Sequence, residues 1–106
     1  MDPLALNPYQ FPPGPALDKL IHSQLFKASA SVPVKPYSTS ESAAAELRRE
    51  LALLWGYPIV VGRSHIRHKS WFARCESDPS TCTEVVAETW PLAVARLAAI
   101  FVEKNK

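Results

Sequence analysis

The sequence predicts one small α+β domain, an α-β-α sandwich in which a short antiparallel sheet of about three strands packs with helices. Three observations carry that expectation. The chain has 106 residues, enough for one hydrophobic core and too few for two. A segment in the middle and another at the end repeat apolar residues at helical spacing. Between them stand three short runs rich in β-branched and aromatic residues, the signature of strands. An apolar share of 47% and a charged share of 21% are those of an ordinary globular chain.

The elements follow in order. Residues 1–15 carry Pro3, Pro8, Pro12, Pro13 and Pro15, which disfavour helix and strand and predict an extended arm. Leu4, Leu6, Tyr9 and Phe11 make that arm apolar. It is read either as a frayed tail or as an arm lying on a neighbouring subunit, with residues 16–106 forming the domain. Leu17, Leu20, Ile21 and Leu25 then predict a short amphipathic helix over Ala16–Phe26. Lys27–Pro36 is polar and broken by proline, hence a loop or irregular strand. Ser38 and Glu41 stand at capping-box spacing. They predict a helix over Thr39–Trp55, with Leu47, Leu51 and Leu54 on one face, Glu46, Arg49 and Glu50 in water, and Gly56 as its stop.

Strands are expected over Tyr57–Gly62, Ser70–Glu76 and Cys82–Glu88. The last two form a hairpin around the Ser77–Thr81 turn chemistry. Cys75 and Cys82 lie near its end, where a disulfide is geometrically conceivable. Thr89 caps a last helix with Pro91 in its first turn. From Leu92 to Val102 the only polar side chain of that helix is Arg96. A helix apolar on nearly every side is buried on more than one. One thin sheet is not expected to cover it, so the helix is predicted to pack against another subunit of a homo-oligomer.

Composition limits the function classes. The net charge of +2 makes nucleic acid an unfavoured partner, since such proteins are usually more basic. The N-terminus has no signal-peptide pattern and no apolar run spans a bilayer. Cytoplasmic location without a membrane partner is the expectation, with thiols mostly reduced. The two cysteines lack zinc-site spacing. His65 and His68 lack a third ligand, and His22 lies far off in the chain, so no metal or other cofactor is expected. There is no Gly-x-Ser-x-Gly elbow and no Gly-rich phosphate loop, the glycines being only Gly14, Gly56 and Gly62. Glu84 and Glu88 read more economically as salt-bridge partners than as an acid/base pair. No catalytic residue is assigned, and the chain is not expected to be an enzyme.

Candidate ligand-binding residues centre on Arg63-Ser64-His65-Ile66-Arg67-His68-Lys69. If this stretch is extended, Arg63, His65, Arg67 and Lys69 share a face and Trp71 continues it. Cations ending in an aromatic suit a phosphate joined to a stacked base. The same row also suits a charged edge that discourages aggregation. Arg96 is read either as salt-bridged to Glu84 or Glu88 or as directed at a ligand phosphate. Arg74, on the face opposite Trp71, carries the same ambiguity. Trp55, Tyr57, Phe72 and Trp90 are read as core or interface residues, and Trp90, which precedes a helix N-terminus, is read alternatively as an aromatic that stacks a base beside a bound phosphate. Tyr37-Ser38-Thr39 offers a lesser cradle or a simple cap.

Three pieces in order resemble the phage ABA sandwich domain family: Pro36-Tyr37-Ser38-Thr39 leading into Ala43-Ala44-Ala45-Glu46-Leu47, then Trp71-Phe72-Ala73-Arg74, then Thr89-Trp90-Pro91-Leu92-Ala93-Val94-Ala95-Arg96-Leu97-Ala98. The resemblance covers roughly residues 16–102 and implies a helix–sheet–helix sandwich. It is architecturally similar to phage sponges that sequester cyclic-nucleotide or cyclic-ADP-ribose immune signals, an analogy of fold. The expectation drawn from it is a phage-encoded oligomer in the bacterial host cytoplasm that captures such a small phosphorylated ligand without cleaving it. The alternative is a protein–protein interaction module that inhibits a host or phage protein through the Pro-rich arm and the apolar last helix.

Overall fold

The computed structural model describes residues 10–29, 31–64, 70–75 and 83–105. Helix α1 spans Pro15–Leu20 and runs into one π-helical turn, Ile21–Leu25. The widening shows in the Phe26 N–H, which donates to the Ile21 carbonyl five residues back at 3.1 Å. Lys27 then adopts φ +52° and ends the element. Leu17, Ile21 and Leu25 are buried on its inner face, as their spacing predicts.

The loop that follows is tied down rather than loose. Tyr37 is buried and stacks on Phe26, with centroids 5.3 Å apart and planes at 11°. The buried Ser38 N–H donates to Asp18 Oδ1 at 2.8 Å, and Ser38 Oγ accepts from the Gly14 N–H at 2.9 Å. This corrects the expected capping box, because the Ser38 hydroxyl is spent on the N-terminal segment. The cap of helix α2, Glu41–Trp55, is Ser40, whose Oγ accepts from the Ala43 N–H. Gly56 ends α2 at φ +83°, the left-handed conformation that favours glycine. Leu47 and Leu51 are fully buried, whereas Leu54 is 47% exposed. Leu54 shares their helical face but sits over an open hollow of about 350 Å³, lined also by Leu25 and Phe101.

Strands β1 (Ile59–Arg63), β2 (Trp71–Cys75) and β3 (Thr83–Ala87) form an antiparallel sheet in that order. Ile59 pairs with Cys75, Arg63 with Trp71, Trp71 with Ala87 and Cys75 with Thr83. Thr89 caps helix α3, Trp90–Lys104, by accepting from the Leu92 N–H at 3.3 Å. The α+β class and the three-stranded antiparallel sheet packed with helices are as the sequence predicts. The layers run sheet, α3, then α1 and α2, which corrects the expected helix–sheet–helix order: among the described residues the sheet is an outer layer, because α3 takes the middle position. Ala73, Cys75, Thr83, Val85 and Ala87 are buried on the sheet face that meets α3, while Phe72, Arg74, Glu84 and Val86 stand on the other face and are only half-buried or exposed.

The middle position of α3 corrects one expectation. Leu92, Ala93, Val94, Ala95, Leu97, Ala98, Ala99, Ile100 and Val102 are all buried within this one chain. The sheet covers one side and the first two helices cover the other. No partner subunit is needed to hide them. Small residues at positions 93, 95, 98 and 99 let both layers approach closely.

The bonding phase of the sheet places its free edges. Ser64 N–H donates to the Ser70 carbonyl at 2.9 Å. Bonded pairs alternate in an antiparallel ladder, so Ile59, Val61 and Arg63 turn their backbone groups outward from β1, and Glu84 and Val86 do so from β3. One carbonyl on each edge is taken by a helical arginine. Arg48 Nε donates to Ile59 O at 2.8 Å, and Arg96 Nη1 donates to Val86 O at 3.0 Å. Such cover discourages edge-to-edge pairing.

Candidate ligand-binding groove

The α2–β1 junction builds a groove of about 420 Å³ lined by Ala45, Arg48, Arg49, Ala52, Pro58, Ile59 and Trp90. Its origin is local. Ala45, Arg48 and Ala52 recur at helical spacing on α2, and the two alanines leave room for the cleft. Gly56 and Pro58 turn the chain into β1 beneath it. Trp90, the first residue of α3, is half-buried at its wall. The Arg48 bond to Ile59 O uses only Nε and fixes the guanidinium plane against the sheet edge. Among the described residues, the lining includes two guanidinium groups and no carboxylate. Such a site favours an anion, and arginine binds phosphate in bidentate fashion. A tryptophan ring beside it offers a stacking face.

The groove adjoins a shallower second lobe, also of about 420 Å³, lined by Arg49, Ala52, Leu53, Gly56, Tyr57 and Pro58. Arg49, Ala52 and Pro58 belong to both lobes.

The residues singled out from the sequence do not meet in one place. Arg63 and Trp71 face each other across the β1–β2 hairpin, with the Arg63 guanidinium 5.0 Å from the indole centroid. The single extended stripe is thereby corrected: β1 ends at Arg63 and β2 starts at Trp71, so the two are lateral neighbours and not points along one strand. His65, Arg67 and Lys69 lie outside the described residues, as do His68, the Ser77–Thr81 turn and Cys82. Cys75 is buried and pairs in register with Thr83.

Arg74 stacks over Phe72 at 5.0 Å and pairs with Glu84 at 3.3 Å on the sheet face away from α3. Arg96 forms neither expected salt bridge. Its Nε donates to the Phe11 carbonyl at 2.8 Å and its Nη1 to Val86. The guanidinium needs partners because it is partly buried, and backbone carbonyls supply them. Burial pushes its pKa down, and the negative charge of Glu88 opposes that shift. Phe11, at the described end of the Pro-rich segment, thus rests on α3 of its own chain. Tyr37 and Ser38 are spent on internal packing. Of the described members of the predicted set, Trp90 alone lines the groove.

Arg48 and Arg49 escaped the sequence reading. The available clue was two adjacent arginines on an alanine-rich helix, but charges on a helix are ordinarily solvated. Only the packing of β1 and Trp90 beside them creates a concave wall. Among the described residues, no three His, Cys, Asp or Glu side chains converge as a metal site. No helix among them is long and apolar enough to cross a membrane.

No family model matches the chain, and no curated protein matches it. The fold is similar to that of a phage protein from Bacillus cereus ATCC 14579, with a TM-score of 0.66 and 21% sequence identity, over 93% of this chain and 90% of that one. At that identity the likeness is one of fold, and the chain is an α+β domain of the same architecture.

Proposed function

We propose that this chain is a phage-encoded binding protein that captures a small phosphorylated nucleotide-type ligand in the groove between α2, the α2–β1 turn and Trp90. The observation that carries the reading is the convergence of Arg48, Arg49 and the Trp90 ring on one groove with no carboxylate among the described lining residues. The arginines would hold phosphate and the indole would stack on a base. The phage origin draws support from the fold likeness to the Bacillus cereus phage protein. The finer form of the reading is a sponge that sequesters a cyclic nucleotide or cyclic-ADP-ribose-type immune signal and releases it intact.

Arg49→Ala and Trp90→Ala should each weaken nucleotide binding about tenfold in calorimetric titration while leaving the helical circular dichroism signal unchanged. A native mass spectrum of protein purified from host cells would report subunit number and bound ligand together. Heat should then return that ligand whole; recovery of a hydrolysed product alone would end the sponge reading.

A second reading is an interaction module. It is favoured by Leu53, Leu54 and Tyr57, which are 73%, 47% and 44% exposed around the C-terminal end of α2. Its surface would be this helix end rather than the buried α3. Leu54→Ser, at a position outside both lobes, should weaken protein capture under this reading and spare nucleotide binding under the first.

A further inference from the structure

We infer that the ligand class of this site is a dinucleotide, held with one base in the Trp90 lobe, the other against Tyr57, and its phosphates at Arg49. The inference rests on the nucleotide reading above and extends it to the second lobe. Three observations support it. The two lobes are continuous, because Arg49, Ala52 and Pro58 line both. Each lobe has one aromatic ring of its own, Trp90 in the first and Tyr57 in the second. The shared cation is Arg49, the first lobe adds Arg48 beside Trp90, and the far end of the second, Leu53 and Tyr57, is uncharged, so the pattern runs from a ring beside two cations to a second ring. A ligand that complements it has a ring, an anionic link and a second ring.

The second lobe is preorganised. Gly56 N–H donates to the Ala52 carbonyl at 2.8 Å, and the left-handed Gly56 sets the direction in which Tyr57 leaves the helix. Tyr57 and Leu53 are nonetheless 44% and 73% exposed. Large apolar side chains left uncovered beside a cation suit a flat ring. A mononucleotide occupies one lobe and leaves the other in water.

The test titrates the full chain calorimetrically with the four ribonucleoside 5′-monophosphates, the matching 5′-diphosphates and the matching 5′-phosphorylated homodinucleotides at one salt concentration. The diphosphates add charge without a second base. At least one dinucleotide should bind about tenfold tighter than both its monophosphate and its diphosphate, the scale of one added base–aromatic stack. Tyr57→Ala should remove most of that gain and leave monophosphate affinity within about twofold; Tyr57→Leu, which keeps the apolar bulk, should do the same if the alanine variant folds poorly. Equal affinity for dinucleotide and diphosphate, or a gain that survives both Tyr57 changes, overturns the two-lobed site while leaving the mononucleotide groove standing. Absence of binding by every probe overturns the nucleotide reading and this inference with it.

Discussion

Arg48 Nε donates to the carbonyl oxygen of Ile59 at 2.8 Å and thereby ties α2 to the outer strand of the sheet. The bond does two things at once. It occupies an outward-facing carbonyl on β1, and it holds a guanidinium at the wall of the groove. Arg96 and Val86 repeat the arrangement on the opposite edge.

Removing the first tie should be mild. Arg48→Ala loses one side-chain-to-backbone bond near the surface, about 1 kcal/mol. Urea denaturation should show that loss as a lower midpoint with an unchanged slope.

Arg96→Met should cost more, about 2 kcal/mol, because it strands the carbonyls of Phe11 and Val86 at once. It should also release the N-terminal segment. Limited proteolysis ahead of Gly14 should accelerate in this variant and not in Arg48→Ala.

The two serines before α2 should separate by role. Ser40→Ala removes a helix cap at a cost of about 1 kcal/mol. Ser38→Ala removes the acceptor of the Gly14 N–H at a site only 1% exposed, and should cost roughly 1–3 kcal/mol through the stranded donor. Thermal denaturation of both variants should rank Ser38→Ala as the less stable.

Gly56→Ala tests the turn. Nothing lies within 4 Å of a Cβ built there, so any loss is conformational, about 1 kcal/mol from φ +83°. The same variant should weaken any ligand that uses the Tyr57 lobe more than one confined to the Trp90 lobe.

Alkaline pH provides a further check. Burial against Phe26 raises the Tyr37 phenol above its ordinary value of 10.0. The folded protein therefore favours the neutral form. That contribution is fully present below pH 10.0 and is lost as pH rises through the higher folded value. Stability measured on both sides of pH 10.0 should fall more steeply in the native chain than in Tyr37→Phe.

Local features were legible in the chain itself. Helical spacing located α1, α2 and α3, with the π turn at Ile21–Leu25 as the departure. Gly56 and Thr89 act as the stop and the cap that their types predict. Three short β-branched runs are the three strands, within two residues at each end. These are properties of a residue and its near neighbours, and the sequence by itself determined them.

The capping role of Ser40, the layer order and the site came from tertiary packing alone. Ser38 lost the cap because Gly14 and Asp18, distant in sequence, claimed its hydroxyl and its N–H. The apolar α3 suggested a partner subunit, but hydropathy reports how much surface must be hidden and not what hides it. Here the sheet hides one side and α1 and α2 the other. Arg48 and Arg49 are neighbours on α2, but Trp90 opens α3 some forty residues later, and no spacing along the chain brings it to them. A groove is a relation between surfaces, so it exists only once the hydrophobic core has set α2, β1 and α3 against one another.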